Sequence, residues 1–234
     1  MKRVKYILLF LLLNIPLSGF GQQQTGILQQ LKEKLSRVND YAVDVTIKID
    51  VPFLKIKERT ATLYYKRPDK IRLKASGFAL IPKASLNFSP ANLFTQNFIP
   101  VFVRRDSLNG QINDVYKLVP TAENSKFILL TIWIDHQNVT ITRLDAATAE
   151  NGNFTVEFKY GGQIQYALPD TAVFRFDLPA RKFPHFPGME EESQKQTDKQ
   201  KRISGKVIIQ YRNYRVNIGL KDDFFQEEEI EELD

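Results

Sequence analysis

Alternation of apolar and polar residues is the sequence feature that most constrains how this chain folds. In residues 43–51, valine and isoleucine at odd positions alternate with aspartate, threonine and lysine, a pattern typical of a strand with one buried face. Similar alternation recurs in 60–66, 71–75, 139–142, 154–160, 174–177, 207–210 and 214–218. Turn-forming sequences separate these runs. The pattern therefore predicts an antiparallel meander and not a βαβ fold.

One amphipathic helix precedes the first predicted strand. Its apolar residues recur at spacings of three and four, and they are Ile27, Leu28, Leu31 and Leu35. About nine strands at ~4.8 Å spacing would make a flat sheet roughly 43 Å wide, whereas a helix is about 12 Å across. Because one helix cannot cover such a sheet, we expect a mainly β fold in which an antiparallel sheet curls into an incomplete, half-open barrel. The helix and the apolar segment 77–102 would form a lid over its mouth.

The N-terminus has the pattern of a secretory signal peptide. Three basic residues within 1–5 are followed by the apolar run 6–13 and by small residues before position 21. Phe20 stands where a lipoprotein signal would carry its cysteine. We therefore expect removal of residues 1–21, and a soluble exported chain that is not lipid-anchored at this point.

The remaining chain divides into a basic body and an acidic tail. Residues 22–221 carry 30 basic and 19 acidic side chains, and eight more acids lie in the tail, 222–234. We expect 22–221 to form one domain, with 183–202 as an exposed polar excursion between two strands. The basic charge is compatible with an anionic membrane surface or with a solvated strand face. The tail is interpreted first as a solvated terminus and second as a docking segment.

Motifs of catalysis are missing from the sequence. The chain has no cysteine, which excludes disulfides, a thiolate nucleophile and cysteine-ligated zinc. No nucleophile elbow, metalloprotease motif or phosphate loop occurs. Its two histidines, His136 and His185, lie in a turn and in the polar excursion. We predict a protein that is not an enzyme and that needs no metal or cofactor.

Several segments together resemble LolA, the periplasmic carrier of outer-membrane lipoproteins. The sequence YKRPDKIR at 65–72 resembles the arginine-proline segment of that family, and 211–220 is similar to the closing hairpin of LolA-like proteins from Bacteroidetes-type bacteria. Further matching segments occur in the expected order, and they are 132–135, 168–170 and 174–176. The resemblance covers most of the predicted domain.

The resemblance implies an incomplete antiparallel barrel with a helical lid, whose hollow binds the acyl chains of a lipoprotein or lipid in the periplasm. It also implies an inner-membrane releasing complex and an outer-membrane acceptor as partners, and a monomer. In LolA the arginine of the matching motif bonds backbone carbonyls of the lid. The resemblance thus gives Arg67 the role of a lid latch, whereas its spacing alone is equally compatible with a solvated turn arginine.

Two sets of apolar residues are candidates for the hollow and its gate. The candidate cavity lining is aromatic and consists of Trp133, Phe127, Phe154, Phe158, Phe174 and Phe176. The candidate gate is the helix stripe of Ile27, Leu28, Leu31 and Leu35. Taken singly, the residues of both sets are more typical of an ordinary packed core, and for the helix stripe the two interpretations are compatible.

Two other functions fit the same sequence. The half-barrel would serve as a protein-binding module that carries an envelope-stress signal by holding a partner peptide. The second alternative is a structural domain with a solid core and no cavity. Lipid that stays bound through purification would favour the carrier over both alternatives.

Overall fold

A computed structural model describes residues 22–51, 57–74, 90–94, 97–108, 110–123, 125, 127–148, 152–179 and 202–225. Four predicted features lie wholly or largely outside these residues. They are the signal peptide 1–21, the part of the lid segment at 77–89, the excursion 183–202 and the tail beyond residue 225.

Ten antiparallel strands form one sheet in the described part of the chain. They are β1 Asp40–Asp50, β2 Arg59–Lys66, β3 Lys70–Lys74, β4 Phe98–Leu108, β5 Gln111–Pro120, β6 Phe127–Asp135, β7 Thr140–Thr148, β8 Gly152–Lys159, β9 Thr171–Pro179 and β10 Arg202–Val216. Their order across the sheet is β3-β2-β1-β10-β9-β8-β7-β6-β5-β4. Since β3 and β4 end the sheet without pairing to each other, the barrel is half open, which confirms the predicted fold class.

The helix α1, Gln22–Ser36, packs on one face of this sheet. Its stripe of Ile27, Leu28, Leu31 and Leu35 is buried in a cluster with side chains from β5 to β9. Burial of each such side chain stabilises the fold by about 1.5–3 kcal/mol. We call the sheet face against α1 the inner face and the opposite one the outer face. A short helix, α2 at Pro90–Leu93, adds Leu93 and the following Phe94 to the same cluster.

The inner face is built in rows of paired residues. Ile132 of β6 lies opposite Leu144 of β7, which lies opposite Val156 of β8. A second cluster covers the inner face of β1, β2 and β10. Tyr211 packs against both clusters, so the inner face is one apolar surface divided between two contact groups.

The last strand corrects one expectation. The turn-forming residues Arg212 and Asn213 predicted a break between two strands, and 211–220 resembled a closing hairpin, but β10 continues without a break to Val216. Asn213 has a φ of 54° and the register of β10 shifts beside it. Asparagine tolerates this left-handed backbone, so its turn preference is absorbed by a bulge within one strand.

No helix in the described ranges combines the length and the apolar character that crossing a membrane requires.

Candidate functional site

Four aromatic rings form a contiguous row on the inner face. The ring centroids of Phe127 and Phe154 are 6.5 Å apart, those of Phe154 and Phe174 4.8 Å, and those of Phe174 and Phe176 6.0 Å. We call these four residues the aromatic row. The separations lie in the range of favourable aromatic packing. The row brings together four of the six side chains that the sequence predicted as cavity lining.

Strand register places these rings side by side. Phe154 of β8 is paired with Phe176 of β9. On their other sides, Phe154 is paired with Ala146 of β7 and Phe176 with Gly205 of β10. A Cβ added to Gly205 would lie 2.9 Å from Cζ of Phe176. The small residues on both sides therefore leave room for the rings. Sequence reasoning missed Ala146 and Gly205, although an isolated glycine in a strand pattern signals a close approach.

A bulge brings Phe127 into the row. The register between β6 and β7 shifts between Phe127 and Leu129, which leaves Ile128 unpaired and 60% exposed. One extra residue reverses the faces of a strand, so Phe127 joins the inner face although its parity is that of the outer one.

Exposure differs along the predicted lining. Phe154 is 8% exposed and Phe158 7%, whereas Phe127, Phe174 and Phe176 are only half-buried. Phe158 sits at the other end of β8, paired with Ala172, within the same cluster. The half-buried rings show that the described elements do not fully cover this part of the inner face. It is apolar surface at which a further apolar group can pack.

Trp133 is separated from the other candidate residues by the sheet itself. It is paired with Val115 and Arg143, while Ile132 and Ile134 beside it point to the inner cluster. The guanidinium carbon of Arg143 lies 5.0 Å from the Trp133 ring centroid, a cation–π contact. Trp133 is thus an outer-face residue, only 9% exposed.

The C-terminal end of α1 is tied to the sheet by hydrogen bonds. Nη1 of Arg67 donates to the Ser36 carbonyl at 2.8 Å, and Nζ of Lys34 donates to the Asn138 carbonyl at 2.7 Å. Burial, reinforced by the nearby positive charge of Arg37, lowers the pKa of Lys34. Cationic side chains also complement the partial negative charge of a helix C-terminus. The structure thus places the Arg67 guanidinium against the C-terminal end of α1.

Asp40, which the sequence did not single out, closes the same end of the molecule. Its buried carboxylate accepts hydrogen bonds from the backbone N–H groups of Ile218, Gly219 and Leu220. The side chain of Asn217 donates to the Arg37 carbonyl at 2.9 Å. A lone aspartate at the start of a strand gives no sequence signal for such a distant role. The chain after β10 therefore supports the junction between α1 and β1.

Polar groups on the outer face form a separate groove. A cavity of about 430 Å³ lies across β6 to β9 and is lined by side chains of both charges, among them Asp145, Arg175 and Asp177. Arg143 pairs with Asp145 at 2.9 Å, and Arg202 pairs with Asp177 at 3.0 Å. Because its acids are already paired with arginines, this groove offers little net charge to a ligand.

His136 belongs to an ion-pair cluster. Its Nδ1 lies 3.0 Å from Oδ2 of Asp114, whose Oδ1 accepts a hydrogen bond from Nε of Arg105 at 2.8 Å. Burial would raise the pKa of Asp114, but the hydrogen bonds from Arg105 and His136 outweigh it and lower that pKa. Among the residues with described positions, no three His, Asp or Glu side chains are grouped to hold a metal ion. His185 lies outside the described residues.

Solved structures share this architecture. One is a putative outer membrane lipoprotein-sorting protein domain from Vibrio parahaemolyticus, with a TM-score of 0.57, 12% identity and coverage of 87% of this chain and 96% of that chain. Another is a LolA superfamily protein from Nitrosomonas europaea, with a TM-score of 0.56, 11% identity and coverage of 85% and 97%. The chain has a LolA-like fold. A DUF1329 family protein from Desulfovibrio piger is similar to the same degree, at a TM-score of 0.56, 11% identity and coverage of 87% and 96%.

Sequence comparison finds no matching family model and no matching curated protein. At identities of 11–12%, the likeness of the solved structures establishes the LolA-like fold and nothing about cargo.

Proposed function

We propose that this chain is a periplasmic carrier that binds the acyl chains of a lipoprotein, or of a lipid, and moves them from the inner to the outer membrane. The observation that carries the proposal is the aromatic row, a half-buried apolar strip on the inner face of a half-open barrel. The LolA-like fold supports it, because one of its members is described as a lipoprotein-sorting domain.

The energetics of acyl chains explain why a shielded surface is needed. Exposing a methylene group to water costs about 0.8 kcal/mol, so a chain of about fifteen methylenes costs on the order of 12 kcal/mol. Transfer through water without a protein cover is correspondingly slow. The carrier replaces one apolar environment with another, and it makes and breaks no covalent bond.

The helix α1 is the natural competitor of the cargo. Its stripe of Ile27, Leu28, Leu31 and Leu35 covers the inner cluster in the structure. In the proposed cycle, an acyl chain takes over part of this contact as the helix moves aside. The hydrogen bonds of Lys34 and Arg67 hold the C-terminal end of α1, so full opening of the helix breaks them. Arg67 then sets how easily the lid opens.

The location and the partners of the carrier follow from the same proposal. Residues 1–21 direct export and are then removed, and the domain acts as a monomer between the two membranes. A releasing complex of the inner membrane loads it, and an outer-membrane acceptor unloads it.

Lipid retention is the test of this function. The protein is purified without detergent, extracted with organic solvent, and the extract is examined by mass spectrometry. We expect an acylated molecule in stoichiometric amount. Its absence, together with failure of the delipidated protein to bind a fluorescent fatty acid or a lipidated peptide, would overturn the proposal. A partner protein that co-purified in place of lipid would do the same and would favour the peptide-binding alternative.

A matched pair of variants on β9 tests the site. Phe174 is on the inner face and its neighbour Val173 is on the outer face. Phe174→Gln removes apolar contact worth about 1.5–3 kcal/mol, which predicts a loss of roughly 10- to 100-fold in affinity for a fluorescent fatty acid. Val173→Gln is expected to bind normally. Equal losses in the two variants would contradict the proposed site.

A further inference from the structure

Four basic residues share the outer face of β2 and β3. Lys66 is paired with Lys70, Arg72 with Tyr64, and Lys74 with Thr62. Leu63 and Tyr65, at the alternate positions of β2, are buried in the second cluster of the inner face. Strand alternation therefore directs Lys66, Lys70, Arg72 and Lys74 to the same side of the sheet. We call these four residues the cationic face.

The chain after β10 returns to this face. Oδ1 of Asp222 lies 2.6 Å from Nζ of Lys66 and 3.1 Å from Nζ of Lys70. Nζ of Lys66 also donates to the Leu220 carbonyl at 2.7 Å. The hydrogen bonds from Lys66 and Lys70 lower the pKa of Asp222. The first acid of the C-terminal tail is thus bound between two lysines of the cationic face.

Phe224 continues the contact along β3. Its ring centroid lies 4.7 Å from that of Tyr64, 4.8 Å from the guanidinium carbon of Arg72 and 4.9 Å from Nζ of Lys74. Arg72 also donates a hydrogen bond to the Phe224 carbonyl. A cation above an aromatic ring is attracted to the electrons of the ring face. Phe224 is therefore held on β3 both by apolar contact with Tyr64 and by cation–π contacts with Arg72 and Lys74.

These contacts give the tail a direction. Between Asp222 and Phe224 the chain moves from Lys70 towards Lys74, along the length of β3. The nine residues that follow Phe225 contain six acids, which are Glu227, Glu228, Glu229, Glu231, Glu232 and Asp234. The most acidic part of the chain therefore leaves from a surface of opposite charge.

We propose that the cationic face is an anion-binding surface whose resident occupant is the acidic C-terminal tail, residues 222–234 of the same chain. The tail covers the four cations and keeps them from binding anionic bilayers. Exposed ion pairs are weak and screened by salt, so a dense anionic surface can displace this cover. Contact with such a membrane then becomes a regulated step. This inference goes beyond the proposed function and concerns a different face of the sheet.

Vesicle binding by charge variants of the full chain tests the proposal. Replacing the five glutamates of the tail by glutamine, as E227Q/E228Q/E229Q/E231Q/E232Q, keeps its length and removes five of its eight acidic charges. We expect this variant to bind vesicles containing about one third phosphatidylglycerol at least about tenfold tighter than the wild type, and neither protein to bind pure phosphatidylcholine. Adding K70Q/R72Q/K74Q should abolish the gain. A five-glutamine variant that binds like the wild type, or a gain that survives loss of the β3 cations, would overturn the proposal.

A label on the tail tests its position directly. Because the chain has no cysteine, Asp234→Cys accepts a single nitroxide spin label. We expect the label to broaden the backbone amide signals of β3 around Lys74, and high salt or Phe224→Ala to weaken that broadening. Broadening absent from β3 at low salt would refute the docking of the tail. Lipid extraction reports on the inner face and is independent of the tail, so failure here leaves the carrier proposal intact.

Discussion

Removal of the Arg67 guanidinium is the perturbation that most directly probes the lid. Its Nη1 donates at 2.8 Å to the carbonyl of Ser36, the last residue of α1. The bond is exposed, and a typical net contribution of such a bond is about 1 kcal/mol. Losing it should raise the population of molecules with α1 open by roughly fivefold, because 1.4 kcal/mol corresponds to a factor of ten.

Amide hydrogen exchange measures that population. In Arg67→Leu, we expect the amides of Leu28, Leu31 and Leu35 to exchange about fivefold faster, while those of the inner strands β7 and β8 change less. Dissociation of a bound fluorescent lipid should accelerate in parallel. Arg37→Leu is the matched control, since Arg37 is an exposed arginine at the same end of α1. Unchanged exchange in α1, or an equal effect in the control, would refute the reasoning.

Three further predictions concern the scaffold of the site. Gly205→Ala should lower the free energy of unfolding by about 1–3 kcal/mol, because the new Cβ would meet Val51 Cγ2 at 2.6 Å and the Phe176 ring. Asp40→Ala should lower it by about 2–3 kcal/mol, because three backbone N–H groups lose their buried acceptor. Burial raises the pKa of Tyr65 and of Tyr116 to about 12, so these groups stay protonated in the folded chain after an unfolded tyrosine has ionised. Stability should therefore be unaffected below pH 10 and fall between about pH 10 and 12.

Urea unfolding measures all three effects. Asp44→Ala, which changes a half-buried aspartate on β1 whose side chain is 44% exposed, is a control for Asp40 and should cost much less. Absorbance at 295 nm follows tyrosine ionisation. A folded chain whose tyrosines all ionised near pH 10 would contradict the pH prediction. If Gly205→Ala were as stable as the wild type, the neighbouring side chains would have to accommodate the added Cβ, and the predicted loss of stability would be wrong.

Much of the fold follows from periodicity. The stripe of α1 was readable because helical spacing makes one face continuous, and all four of its predicted residues are buried. Most strands could be predicted because apolar and polar residues alternate wherever one face of the sheet is exposed to solvent. Arg67 stood out only through its family resemblance, since its partner, the Ser36 carbonyl, is 31 residues away in sequence.

Bulges account for what the sequence could not show. β6 is apolar at both parities, so its pattern does not say which face holds Trp133. The register shift at Ile128 then places Phe127 on the inner face, while Trp133 stays on the outer one. A bulge inserts one extra residue into a strand, and the alternation of apolar and polar residues does not reveal its position. For the same reason, the turn-forming residues Arg212 and Asn213 did not reveal that they lie at a bulge within one strand.

Fluorescence quenching tests the central claim, that acyl chains bind at the aromatic row, most directly. The chain has one tryptophan, Trp133, on the outer face. The variant Trp133→Phe/Phe174→Trp moves the fluorophore into the row. On titration with a fatty acid brominated on its chain, a short-range quencher, we expect strong quenching in the variant and little in the wild type. Absence of quenching in the variant, or equal quenching in both proteins, would contradict acyl binding at this face.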